Sequence, residues 1–226
     1  MIRFDSTQLV KFFDHTILKS DTQKDEVKKV CFEAIKYGFC TVFINPCWVE
    51  YAASILQGTS VKVGVPIGFP LGAVTTKVKA FEANDAIKNG AEELDVVLNI
   101  GRLKDGDYEW VKKDIVEVVK ASQGRICKVI IETQLLTKNE KINACHLVKE
   151  AGASFVKSNT GLFEGIATVE DIQLMRHVVG TEMGVKASGG IRTLKDALLF
   201  IEAGANRLGC SKSVDIIEEL KRDKSA

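Results

Sequence analysis

The sequence has little of what metal- and cofactor-dependent chemistry usually needs. Histidine occurs three times, as His15, His146 and His177, scattered and with no carboxylate partner at a strong ligand spacing. The six cysteines, Cys31, Cys40, Cys47, Cys127, Cys145 and Cys210, form no C-x-x-C pair, so they read as free thiols of a reducing compartment. Neither a metal nor a cofactor is expected. No run approaches the roughly 18 apolar residues of a spanning helix. No apolar stretch of a secretory signal follows Met1–Ser6. The expectation is a cytoplasmic protein with no membrane partner. The formal net charge is only +1, too small for a field that would recruit nucleic acid. Residues 19–24 read Lys-Ser-Asp-Thr-Gln-Lys, so the first candidate strand lacks the glycine fingerprint of an open dinucleotide-binding sheet. No linker or low-complexity segment divides the 226 residues, and one domain over 1–226 is expected.

What is present is a rhythm. Short β-branched runs recur at 14–18, 41–45, 61–67, 94–100, 128–133, 155–158, 184–187 and 207–210. Most carry apolar residues on both faces, as strands of a covered parallel sheet do. Amphipathic stretches of helical length, such as 76–89, 107–121 and 138–150, lie between them. One helix-to-strand joint recurs at Gly38, Gly90, Gly152 and Gly204, where glycine takes the left-handed conformation at no steric cost. Thr22-x-x-Asp25, Thr137-x-x-Glu140, Thr168-x-x-Asp171 and Thr193-x-x-Asp196 match capping boxes at helix starts. Eight strand–helix units in about 200 residues, with an extra N-terminal helix near 5–13, predict a (β/α)8 TIM barrel.

Charged residues inside these strands then stand out. Asp95 lies in ELDVVLN with Asn99 four residues on, Glu132 closes KVIIET, and Lys157 and Lys186 sit in strands six and seven. Asp14 ends the first helix or begins strand one. A lone strand lysine is more often a side chain snorkelling at a rim, and Lys62 and Lys128, near strand starts, read that way. Glu132 reads as a supporting hydrogen-bond partner. Asp95, Lys157 and Lys186 are different: on strands four, six and seven they project into one barrel mouth, where titratable groups gather at sites. The loops after strands seven and eight, KASGGIRT and LGCSK, place Gly189, Gly190, Gly209 and Ser211 where such barrels bind phosphate.

Two lysines and a carboxylate suit one chemistry. A lysine amine attacks a carbonyl only when unprotonated, and both burial and a second cation favour that form. One lysine is then the Schiff-base nucleophile, the other keeps its amine near neutrality, and the carboxylate moves protons through water. That combination describes a metal-free aldolase acting on a sugar phosphate. Two other readings are weaker. A phosphosugar isomerase would use Glu132 as its base and leave the paired lysines idle. A phosphate-binding barrel without catalysis would not need the intact trio.

The stretches 68–87 (GFPLGAVTTKVKAFEANDAI), 93–115, 128–133, 155–161 (FVKSNTG) and 184–193 (GVKASGGIRT) resemble the deoxyribose-phosphate aldolase family, from DHTIL at 14–18 to LGCSK at 208–212. The resemblance implies reversible cleavage of 2-deoxy-D-ribose 5-phosphate to D-glyceraldehyde 3-phosphate and acetaldehyde, in catabolism of deoxyribose phosphates. It implies Lys157 as imine former, Lys186 as its tuning lysine and Asp95 as proton carrier. Asp14, Thr160, Gly161, Gly189, Gly190, Gly209 and Ser211 would hold substrate and phosphate, in a homo-oligomer of two or four copies. The sequence departs from the family at Asn159, where a serine is usual, and at Val74, where asparagine is common. It ends Asp223-Lys224-Ser225-Ala226, without the terminal tyrosine of some members.

Overall fold

A computed structural model describes residues 4–163 and 165–223. Eight strands, β1 (Phe13–Ile17), β2 (Thr41–Ile44), β3 (Lys62–Ile67), β4 (Glu93–Val97), β5 (Ile126–Ile130), β6 (Phe155–Lys157), β7 (Gly184–Ser188) and β8 (Arg207–Cys210), pair in parallel and in chain order. β8 pairs with β1, which closes the barrel. The helices are α1 (Ser6–Leu9), α2 (Lys24–Tyr37), α3 (Val49–Leu56), α4 (Thr76–Lys88), α5 (Ile100–Lys104), α6 (Tyr108–Ala121), α7 (Lys138–Glu150), α8 (Val169–Val179), α9 (Leu194–Glu202) and α10 (Ser213–Asp223). The predicted (β/α)8 TIM barrel is therefore the fold. The extra N-terminal helix is a short α1 continued by a 3-10 turn over Val10–Phe12, packed against α10 and β8.

The strands alternate more strictly than their apolar content suggested. Leu94 and Val96, Cys127 and Val129, Val185 and Ala187 belong to the hydrophobic layer under the helices. The opposite phase carries Glu93 and Asp95, Lys128, Lys186 and Arg207, all buried. A period of two along each strand sorts the side chains between an apolar outer layer and a polar barrel interior.

Local signals account for most boundaries. Gly38, Gly90, Gly152 and Gly204 all have positive φ, between 75° and 111°, at the four joints. Thr137 with Glu140 and Thr193 with Asp196 form full capping boxes, and Thr168 accepts from the Asp171 amide. The box expected at Thr22 is displaced by one residue: Gln23 caps α2 with Glu26, while the Thr22 hydroxyl donates to the Lys19 carbonyl. β4 is shorter than expected. It ends at Val97, and Asn99, instead of lying on the face of Asp95, turns out of the strand to cap α5. The chain's last three residues, Lys224-Ser225-Ala226, lie outside the described residues.

Candidate active site

Seven ionisable side chains fill the barrel interior. Arg207 of β8 donates through Nε to Asp14 Oδ1 at 2.8 Å and through Nη2 to Glu93 Oε2 at 2.9 Å. Lys128 of β5 lies 2.6 Å from Glu93 Oε2, 2.9 Å from Asp95 Oδ1 and 3.9 Å from Asp14 Oδ2. Asp95 Oδ2 accepts from both Lys186 Nζ, at 2.7 Å, and Lys157 Nζ, at 2.9 Å. Asp14 Oδ2 lies 2.5 Å from Lys186 Nζ, as an ion pair outside hydrogen-bond alignment. The pairing register produces this gathering: Asp95 lies beside Lys128, and Lys157 beside Lys186, which in turn neighbours Arg207.

Small residues make room for it. A Cβ on Gly64 would stand 2.2 Å from the ring of Phe43, so glycine there admits the ring to the interior. The centroid of that ring lies 4.0 Å from Lys186 Nζ, 4.9 Å from Lys128 Nζ and 5.6 Å from Lys157 Nζ, an aromatic face shared by three lysine amines. A Cβ on Gly209 would come within 3.1 Å of Lys186 Cε and 2.9 Å of Ser188 Cβ. Gly209 therefore clears the path of Lys186 as well as edging the cavity.

The electrostatics separate the groups. Burial lowers the Lys157 amine to about 8, with Asp95 pulling it up and Lys186 pushing it further down. Lys186 was expected to keep this amine near neutrality, and it does push it down, but burial is the larger cause and the two lysines share one carboxylate oxygen. Burial would raise the Asp95 carboxyl, yet Lys128, Lys157 and Lys186 together hold it far below the ordinary carboxylate range. Asp14 is likewise held low: burial opposes ionisation, and Lys186, Arg207 and Lys128 overcome it.

Above this layer opens a cavity of about 600 Å³. Thr160, Gly161, Gly189, Gly190, Gly209 and Ser211 all line it, together with Lys157. Gly189 and Gly190 have φ of 97° and 81°, which frees their amides from a helical or extended path. Asp95 and Lys186 lie beneath its floor.

Two readings change. Lys128 is no rim residue: it is fully buried and bonded to Asp95, because its register position points it inward, whereas Lys62 does lie half-exposed against Glu92. Asp14, expected among the substrate- and phosphate-binding residues, does not line the cavity. It sits opposite Gly209 in the β1–β8 register, and its carboxylate pairs with Lys186 and Arg207 in the interior. Glu132 has a supporting place, its carboxylate accepting the Thr160 amide at 2.9 Å from a backbone with φ of 50°. Asn159 is fully buried and accepts from the Thr133 amide and hydroxyl while donating to the Ser188 carbonyl. Val74 is exposed.

Sequence reasoning missed Phe43, Glu93 and Arg207 in the interior, and Lys19, Arg192 and Lys212 on the cavity wall. Glu93 and Arg207 carried a signal, since each shares the strand phase of a chosen residue. Among the described residues no group of three or more His, Cys, Asp or Glu is placed to hold a metal ion.

The family model described as DeoC/LacD family aldolase matches residues 8–213. A protein of Clostridium perfringens named deoxyribose-phosphate aldolase is 57% identical over 215 residues, covering 95% of this chain and 96% of its own length. One of Thermococcus gammatolerans with the same name is 58% identical over 214 residues, covering 93% and 95%. The crystal structure of a putative deoxyribose-phosphate aldolase from Coccidioides immitis superposes with a TM-score of 0.95 at 40% identity, over 98% of this chain and 88% of that one. The deoxyribose phosphate aldolase of Aeropyrum pernix, described as a unique tetrameric structure, gives 0.90 at 31% identity, over 96% and 92%.

Proposed function

The chain belongs to the DeoC/LacD family of aldolases, and from that membership we propose the work of each residue in the site. The protein is a lyase, a deoxyribose-phosphate aldolase that reversibly cleaves 2-deoxy-D-ribose 5-phosphate to D-glyceraldehyde 3-phosphate and acetaldehyde. Lys157 is the nucleophile. Its Nζ attacks the aldehyde carbon of the open-chain sugar, water leaves, and an iminium forms. The iminium draws the electrons of the bond between the second and third carbons, which breaks as the hydroxyl on the third carbon gives up its proton. D-glyceraldehyde 3-phosphate departs, and the two-carbon enamine is reprotonated and hydrolysed to acetaldehyde and free Lys157.

One observation carries this reading. Lys157 is the member of the buried cluster that lines the cavity, and its amine is lowered to about 8, so part of it is unprotonated near neutrality. Asp95 accepts from Lys157 and Lys186 through the same oxygen, a geometry suited to passing a proton between the amines and a water above them. The phosphate is held by amides of the loops after β6, β7 and β8, at Gly161, Gly189, Gly190 and Ser211, with Lys19, Arg192 and Lys212 supplying charge on the wall. Residues 1–226 act as one domain, as a homo-oligomer, in the cytoplasm. No described helix is long and apolar enough to cross a membrane, and the related tetramer supports assembly.

The test is reductive trapping. Acetaldehyde with borohydride is expected to leave one reduced two-carbon adduct, on the peptide that holds Lys157. An adduct confined to exposed lysines, or none, overturns the assignment.

A further inference from the structure

Lys128 is the lysine of the barrel interior that the reaction as described does not use. It is fully buried and does not line the cavity, so it cannot touch substrate. Yet it pairs with more carboxylates than any other cation of the interior, with Glu93 at 2.6 Å, Asp95 at 2.9 Å and Asp14 at 3.9 Å. Lys186 has two carboxylate partners, Asp14 and Asp95, and Arg207 has Asp14 and Glu93. Lys157 has Asp95 alone. Four cations, Lys128, Lys157, Lys186 and Arg207, thus face three carboxylates, Asp14, Glu93 and Asp95. The interior holds one positive charge more than it can pair.

We propose that Lys128 is a positioning residue whose charge creates this excess and, by occupying Asp95 Oδ1, leaves Lys157 as the cation that must give up its proton. A surplus charge in a dry interior costs more than neutralising the group that carries it. The group that yields is the one with fewest partners and access to solvent. Lys157 satisfies both conditions, and the other three do not. The guanidinium of Arg207 stays charged at any accessible pH. Lys128 is kept charged by its carboxylates: burial works against it, and Asp95, Glu93 and Asp14 outweigh that. The inference rests on the reading of Lys157 as the nucleophile and adds what frees its amine.

The groups facing Lys157 are Asp95 on β4, Lys128 on β5 and Lys186 on β7, with Asp14, Glu93 and Arg207 behind them and Lys19, Arg192 and Lys212 across the cavity. Only the interior groups change in the following variants. Lys128→Met leaves three cations on three carboxylates. With no excess, Lys157 keeps its proton. Lys128→Met combined with Glu93→Gln leaves three cations on two carboxylates, and the excess of one returns.

The experiment measures the pH dependence of kcat/KM and of borohydride trapping with acetaldehyde, in wild type, Lys128→Met and the double variant. The single variant is expected to move the acid limb of both profiles up by about one to two pH units. At pH 7 its kcat/KM falls roughly ten- to hundred-fold and recovers toward the wild-type plateau near pH 10. The double variant, although it carries more damage, returns the limb to within about half a unit of wild type. A Lys128→Met limb that stays at the wild-type pH, or a double variant as displaced as the single, overturns the proposal. If the single variant does not fold, a double variant that folds with a displaced limb overturns it, and one with a wild-type limb supports it. The nucleophile assignment is read separately, from which peptide carries the adduct: label absent from Lys157 at every pH breaks that reading, whereas label on Lys157 with an unmoved limb breaks only this one.

Discussion

Among the described residues lysine is buried in two places, and the two differ in arithmetic. Outside the barrel, Lys79 of α4 meets Asp114 of α6 at 2.6 Å and also donates to the Val97 carbonyl at the end of β4. Both side chains are buried, one cation to one carboxylate. Inside the barrel, four cations share three carboxylates. Burial lowers the Lys79 amine too, as it lowers that of Lys157, so burial by itself does not mark a nucleophile. The outer pair is closed and tethers α4 and α6 to a strand end. The inner cluster is one charge out of balance, and its least-supported member faces a cavity.

The largest effect expected from breaking this contrast is on activity. Lys157→Leu should lower kcat/KM by at least about 10⁴-fold with the fold intact, because no other lysine lines the cavity floor. Far-ultraviolet circular dichroism with an aldol-cleavage assay checks this, and a variant within a hundred-fold of wild type would remove Lys157 from its role.

Breaking the outer pair should instead cost stability. Asp114→Ala leaves Lys79 buried without its carboxylate and should destabilise by about 3–5 kcal/mol, while kcat/KM per folded molecule changes less than about threefold. Urea midpoints and kinetics below the transition separate the two. Replacing both partners by apolar residues of similar size should restore most of the loss.

The same Lys157→Leu variant sharpens the contrast with an opposite sign. It removes the surplus charge of the cluster, so at pH 7 it should be more stable than wild type by about 1–3 kcal/mol. The pH dependence follows from the lowered amine. Between about 8 and the ordinary 10.5, the unfolded chain holds a proton at this position that the folded chain has shed. Wild-type stability should therefore rise with pH across that window, and the contribution of this residue to the slope should vanish in Lys157→Leu. A variant less stable than wild type, with the slope unchanged, would contradict the excess-charge account.

The smallest effect belongs to a lysine of neither kind. Lys62 and Glu92 lie 2.6 Å apart but are each nearly half exposed. Lys62→Ala should change stability by less than about 0.5 kcal/mol and leave kinetics alone. A thermal melt suffices to test it.

Lys62 and Lys128 also show where sequence reading stopped. Both stand near a strand start in an apolar run, and nothing local distinguishes them. What separates them is the register that sets Lys128 beside Asp95, and register follows from closure of all eight strands. The features that needed only local chemistry were legible: the strand–helix alternation, the glycine joints and the two full capping boxes at Thr137 and Thr193. Asp95, Lys157 and Lys186 were legible because a charge in an apolar strand is conspicuous. Asp14 was noticed and placed among the substrate-binding residues, but its ion-pair partners lie on β7 and β8, at Lys186 and Arg207, which only closure of the barrel brings to it. Asn99 was assigned to β4 because the apolar run continues through Leu98, but its side chain accepts from the Arg102 amide and ends the strand first.

The bonds of Asn159 have a mechanical consequence. Its amide ties the ends of β5 and β7 to its own loop, the Ser158 hydroxyl donates to the Ser188 carbonyl, and Glu132 holds the Thr160 amide. The ends of β5, β6 and β7, three of the eight strands, are thereby tied into one arc, and Lys157 stands on it. Ile17 and Leu18, on the opposite wall, are apolar and outside that arc. Change within the arc displaces the chemistry along with the wall, whereas change at Ile17 or Leu18 recuts the wall alone. The barrel thus separates a part of its rim that shifts only together with Lys157 from a part, at Ile17 and Leu18, that does not.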